Sequence, residues 1–154
     1  MITIQSIYDR FCRTRFPLPR EGELFALQRR IGIVFPREYR DFILEFNGGY
    51  FSDPVISPPD PACPSESLAS LFGIGASQDT AELGCPAEID LFDDNHPPKI
   101  VPIGRTALGG LIILDTAPGY ENGSIYLKQA WGSFYYLADS IVNFFALLRE
   151  PPSV

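Results

Sequence analysis

The 154 residues carry a formal charge of −7, with 45% hydrophobic and 20% charged side chains and an aromatic complement of 12 Phe and 7 Tyr. That length and apolar content exclude a disordered polymer and fit a single domain, residues 1–154, with a sizeable core. The acidic balance speaks against direct binding of nucleic acid, whose phosphates call for an excess of Lys and Arg.

The first fifteen residues lack a long apolar run ahead of a small-residue cleavage site. No window reaches the roughly 20 apolar residues of a membrane span, so a cytoplasmic protein without membrane contact is expected. Cys12, Cys63 and Cys85 are odd in number and share no C-x-x-C spacing, and they read as free thiols.

In chain order, a short helix is expected near residues 4–11. Leu24, Leu27 and Ile31 then fall on one helical stripe that Gly32 ends, predicting a helix over 21–31. Pro36 stands at a first helical position. Tyr39, Phe42, Ile43 and Phe46 follow at i, i+3, i+4 and i+7 before Asn47-Gly48-Gly49, predicting a second helix. Five prolines between 54 and 64 predict an irregular loop or edge segment, and 68–74 a strand. Residues 80–98 read as an acidic surface segment with one helical turn near 89–92. Short β-rich runs at 100–103, 111–114, 124–127 and 134–137 are separated by glycine-bearing turns, and a final helix capped by Asp139 or Ser140 presents Ile141, Phe144, Phe145 and Leu148 before Pro151-Pro152. The expected architecture is α+β: one largely antiparallel or mixed sheet with helices packed on one face and the other face available for contact.

Charge is segregated along the chain. Residues 1–40 hold eight Arg and four acids, residues 41–98 hold eleven acids and no Lys or Arg, and residues 99–154 balance. Unless the fold lays the first eight arginines against it, the middle segment presents a negative field suited to a basic protein partner.

Catalytic chemistry finds little footing. His96 is the single histidine, and no nucleophile is placed beside it by the sequence. The chain has neither zinc-ligand spacing nor the spacing and glycine of a calcium loop around Asp90, Asp93 and Asp94, so no cofactor or metal is expected. Residues 104–110 have the glycine spacing of a phosphate loop, yet Gly110 and Leu111 stand where Lys and Ser or Thr are required, which makes the segment a strand connection. Asn122-Gly123 reads as a tight turn rather than a glycosylation site.

Several blocks together resemble a known family. Ile33-Val34-Phe35-Pro36-Arg37-Glu38-Tyr39-Arg40-Asp41-Phe42-Ile43 through Asn47-Gly48-Gly49 is similar to the Pro-x-x-Tyr-x-x-Phe and Asn-Gly-Gly signature of the SUKH superfamily, also called Smi/Knr-like proteins. Val101-Pro102-Ile103-Gly104, Gly109-Gly110, Ile113-Leu114-Asp115, Gly123-Ser124-Ile125-Tyr126 and Leu137-Ala138-Asp139-Ser140 continue it in the expected order. Leu111, where relatives often carry Asn, and Lys128-Gln129-Ala130-Trp131 depart from the pattern, as does the proline-rich 53–64 segment.

The resemblance implies a non-catalytic α+β domain. In bacteria its members are immunity proteins that neutralise a cognate polymorphic toxin, often a nuclease. Fungal relatives are regulators of cell-wall synthesis acting through protein contacts. An immunity protein that binds and occludes a toxin with a basic surface is the leading expectation, with Asp79, Glu82, Glu88, Asp90, Asp93 and Asp94 as the electrostatic part of the interface and Tyr120 and Trp131 as anchors. A regulatory scaffold of the fungal kind and a small hydrolase using His96 stand as alternatives.

Overall fold

A computed structural model of the chain describes residues 3–75, 82–83, 100–116, 123–130 and 133–151. In chain order the elements are α1 (Ile4–Phe11), β1 (Cys12–Arg15), α2 (Glu21–Ile31), α3 (Arg37–Glu45), β2 (Gly49–Phe51), β3 (Val55–Ile56), β4 (Leu68–Leu71), β5 (Ile100–Thr106), β6 (Leu111–Asp115), β7 (Ile125–Lys128), β8 (Phe134–Ala138), α4 (Ile141–Phe145) and β9 (Leu148–Arg149). Seven strands form one antiparallel sheet in the order β1-β2-β4-β5-β6-β7-β8, and β3 pairs with β9 in a small second sheet. The described residues form one α+β unit.

The helix boundaries follow from local chemistry. Thr3 and Ser6 form a reciprocal capping box at the start of α1. Gly32 takes the left-handed conformation, φ +73°, that ends α2. Pro36 is the N-cap of α3, one position earlier than a first helical residue, and the Ser140 hydroxyl accepts from the Asn143 amide to open α4. The last helix is shorter than its apolar spacing suggests. It closes after Phe145, and Leu148 with Arg149 turns into β9, because Val55 and Ile56 in the proline-rich segment offer an unpaired edge to which those residues bond.

Three helices meet the sheet through a shared aromatic cluster. Tyr8 of α1 is its hub, with ring centroids 4.6 Å from Phe46, 5.3 Å from Phe51 on β2 and 5.9 Å from Phe145 on α4. Phe42 of α3 lies 5.5 Å from Phe145, which joins α3 to α4 over the same patch. Tyr8, Phe51 and Phe145 are almost completely buried. Burying such rings contributes the largest share of core stabilisation, roughly 1.5–3 kcal/mol each from area alone.

Asn47-Gly48-Gly49 is a junction rather than a simple helix stop. Asn47 has φ +54°, is fully buried, and its side-chain amide donates to the Pro17 and Ile74 carbonyls at 2.7 and 2.9 Å while its carbonyl accepts from the Ile74 amide at 2.8 Å. One side chain thus ties the loop before α2, the end of α3 and the exit of β4. Gly48 has φ +75°, and a Cβ there would run into the Leu71 and Phe72 carbonyls, so the chain enters β2 only because the residue is glycine.

Candidate functional site

Strand register sorts the side chains onto two faces, because directly opposed residues share a face. One row crosses the whole sheet: Thr14, Tyr50, Ser70, Arg105, Leu111, Lys128 and Phe134. Beside it Pro102, Ile113, Tyr126 and Tyr136 form a second row on the same face. Ile112, Leu127 and Tyr135, with Leu114 and Ile125, point the other way. That second face is the helix side, since a Cβ on Gly123 would touch both Leu114 and Pro36 at the head of α3.

The face away from the helices is covered at its centre and opens toward β8. Leu111 and Ile113 are buried, Lys128 and Tyr126 are half-buried, and Phe134 and Tyr136 are 49% and 45% exposed. Tyr126 and Tyr136 meet edge to face with ring centroids 5.7 Å apart, which fixes the orientation of the exposed phenol. Burial first, and then the charge of Asp139, push the Tyr136 phenol above its ordinary pKa, so it stays a neutral donor across the physiological range. Two uncharged aromatics on the last strand of the sheet suit the anchoring of a protein surface.

Of the residues expected to form a partner interface, Glu82 is described. It is half-buried, accepts from the Gly75 amide at 2.9 Å and is bridged to Gly73, so it also fixes the turn after β4. Asp79, Glu88, Asp90, Asp93, Asp94, Tyr120 and Trp131 lie outside the described residues, as do His96, Cys85, Asn122 and the helical turn expected near 89–92. The aromatics Tyr50 and Phe51 divide: Phe51 is core, whereas Tyr50 is half-buried and packs 5.2 Å from Phe16.

The first-third arginines are partly occupied nearby. Arg10 pairs with Glu150, and Arg15 pairs with Asp9 at 3.0 Å. Asp41, Glu45, Asp53 and Asp60 are exposed, whereas Glu66 is buried and accepts a 2.6 Å hydrogen bond from the Thr106 hydroxyl. Between α2 and α3 a groove of about 350 Å³ is lined by Arg37, Arg40, Glu21 and Asp41 over Leu24 and Leu44. The described residues contain no cluster of three His, Cys, Asp or Glu able to hold a metal ion. Cys12 and Cys63 are free thiols whose pKa values burial pushes up, which disfavours the reactive thiolate. Residues 107–110 form the hairpin turn between β5 and β6, with Gly109 at φ +86°, in agreement with a strand connection rather than a phosphate loop.

Comparison with known proteins resolves the family. The SMI1 / KNR4 family (SUKH-1) matches residues 19–147. The chain belongs to this family. It is also similar to a SPbeta prophage-derived uncharacterized protein, YokK, of Bacillus subtilis (strain 168), at 25% identity over 163 aligned positions covering 89% of this chain and 79% of the relative. No solved structure matches significantly. Within the SUKH-1 domain, α3 and the Asn47-Gly48-Gly49 junction occupy the signature segment, and there the signature residues are structural: Tyr39 and Phe42 are core, and Asn47 is the three-way clamp. Among the described residues, no helix is long and apolar enough to cross a membrane.

Proposed function

We propose that this SUKH-1 protein is a non-catalytic immunity protein that neutralises a cognate toxin in the cytoplasm by binding and occluding it. The observation that carries the reading is family membership across residues 19–147. The sign of the partner comes from the charge segregation: 58 consecutive residues, 41–98, hold eleven acids and no basic side chain. A nuclease toxin concentrates positive charge where phosphate binds, and carboxylates are the protein groups that replace phosphate there. Asp79, Glu82, Glu88, Asp90, Asp93 and Asp94 supply that field in the proposal, with Tyr120 and Trp131 as apolar anchors. Prophage derivation of the similar Bacillus protein is compatible with a role in competition between genomes.

The test is protection. Co-expression of this chain with a toxin domain, sought in the neighbouring open reading frame, is expected to restore growth of the host, and the His96→Ala variant is expected to protect as well as the natural chain. Death of cells that contain the folded chain and that toxin would overturn the immunity reading, and measurable turnover abolished by His96→Ala would replace it with an enzyme.

A further inference from the structure

The groove between α2 and α3 is written into the spacing of both helices. α2 contributes Glu21, Leu24 and Phe25 and α3 contributes Arg37, Arg40 and Asp41, each at i, i+3 and i+4 along one helix face. Floor and rim differ in charge. Leu24 is buried and Leu44 and Arg40 are half-buried, whereas Glu21, Phe25, Arg37 and Asp41 are exposed. Arg40 is therefore the one charge of the lining that reaches the floor.

Two acids and two bases line the groove, yet none of the four forms an ion pair among the described residues. The helices account for this. Arg37 precedes Asp41 by four residues, the weaker order for such a pair, and Glu21 at the first position of α2 already meets the positive end of its own helix. Gln28 is also committed, because its side-chain oxygen accepts from the Phe35 amide at 2.8 Å. The Arg40 guanidinium is left without an acceptor among the described residues, and its Nε is withdrawn from solvent. A cation partly removed from water with its donors unspent costs free energy that an anionic acceptor recovers.

We propose that the α2–α3 groove binds a carboxylate side chain of a partner protein, held by the terminal guanidinium nitrogens of Arg40 and flanked by Arg37, with an apolar neighbour of that side chain resting on Phe25 and Leu44. The charge of the floor selects an anion, and the fork of a guanidinium matches the two oxygens of a carboxylate. The rim selects its valence: Glu21 and Asp41 oppose a doubly charged phosphate more than a carboxylate. The shape selects a macromolecule. Two helix flanks leave the groove of about 350 Å³ open, with Phe25 61% exposed, whereas small-molecule sites enclose most of their ligand. The contact goes beyond the immunity reading and is opposite in sign to the field ascribed to Asp79, Glu88, Asp90, Asp93 and Asp94. The net charge of −7 repels an acidic partner at long range, so the contact is local and weak.

Titration of the purified chain, followed by amide and arginine side-chain NMR shifts, tests the proposal with three probes: a Leu-Glu-Leu tripeptide blocked at both ends, the blocked Leu-Gln-Leu tripeptide, and inorganic phosphate. The glutamate peptide is expected to give saturable shifts at Phe25, Arg37, Arg40 and Leu44, with a dissociation constant of about 1 mM. The glutamine peptide and phosphate are expected to bind about tenfold more weakly. Arg40→Gln is expected to weaken the glutamate peptide about tenfold, and Arg40→Lys, which keeps the charge and loses the fork, about threefold. Arg29→Gln, at an exposed arginine of α2 outside the groove, is expected to change nothing. The same spectra show whether each variant is folded, and Arg37→Gln, at an exposed side chain, is a further test expected to weaken binding about twofold. No saturable shift in the groove below about 20 mM, equal binding of the glutamine peptide, tighter binding of phosphate, or binding indifferent to the Arg37 and Arg40 variants would overturn the proposal. Protection against a toxin is a separate readout, so either result leaves the immunity reading standing on its own test.

Discussion

Replacing Asn47 probes the junction on which the helix-to-sheet connection depends. Asn47→Ala deletes three buried hydrogen bonds, to the Pro17 carbonyl, the Ile74 carbonyl and the Ile74 amide. At about 1 kcal/mol each they amount to about 3 kcal/mol. The backbone at φ +54° adds about 1 kcal/mol, since alanine tolerates the left-handed region less well than asparagine. A loss of about 4 kcal/mol is a large fraction of the 5–15 kcal/mol typical of a domain, and corresponds to a fall in Tm of roughly 8–16 °C. Asn47→Gly removes the same bonds but relieves the backbone, so its cost is expected to be smaller by about 1 kcal/mol. Asn47→Asp turns a carboxylate oxygen toward two carbonyls and is expected to cost more than alanine at neutral pH. Urea unfolding followed by circular dichroism gives all three values. A loss below about 1 kcal/mol for Asn47→Ala, or an aspartate as stable as asparagine, would refute the clamp.

Gly48→Ala is expected to destabilise the fold by more than the ordinary cost of leaving glycine, since its Cβ meets the Leu71 and Phe72 carbonyls at a left-handed φ; thermal melting checks it. Tyr8 and Tyr39 divide by hydrogen bonding. The Tyr8 hydroxyl donates to the Gly48 carbonyl at 3.1 Å and Tyr39→Phe removes a buried hydroxyl that has no hydrogen-bond partner among the described residues, so Tyr8→Phe is expected to cost about 1 kcal/mol and Tyr39→Phe to be neutral or stabilising in the same melts. Burial raises both phenols well above the ordinary value near 10. Each favours the neutral form in the fold, so their contribution is fully present below about pH 10 and is lost above it, at about 2.7 kcal/mol per pH unit for the two together until the folded-state pKa values are reached. Alkaline titration of stability should therefore steepen above about pH 10, and the slope should halve in Tyr39→Phe.

The elements that the sequence announces most clearly are those in which local chemistry and burial agree. α2 ends at Gly32 and α3 shows its apolar stripe before Asn47-Gly48-Gly49, and both stand within one residue of where their periodicity places them. The strands of the last third are likewise marked by turn glycines. β1, β2, β3 and β9 are not legible in this way. They are two to four residues long, too short for alternation to register, and each exists because a distant segment pairs with it. Leu148 shows the same limit: its spacing from Phe144 and Phe145 is helical, but Val55 and Ile56 claim its backbone from nearly a hundred residues away. At the candidate site the exposure of Phe134 and Tyr136 was not legible, because an aromatic in a strand reads more readily as core than as anchor until the strand order places it at an edge. The signal that was present is the run from Ser133 to Ala138 without a charge, unusual for an edge strand.

The most direct measurement is the association rate of the purified protein with a toxin domain that it protects against in co-expression, followed by stopped-flow fluorescence across a salt series. Docking through the acidic segment predicts a rate that falls steeply as salt rises, and a shallower fall for the Asp90→Lys, Asp93→Lys, Asp94→Lys triple variant. A rate independent of both salt and the triple reversal, or the absence of any complex at micromolar concentrations, would contradict it.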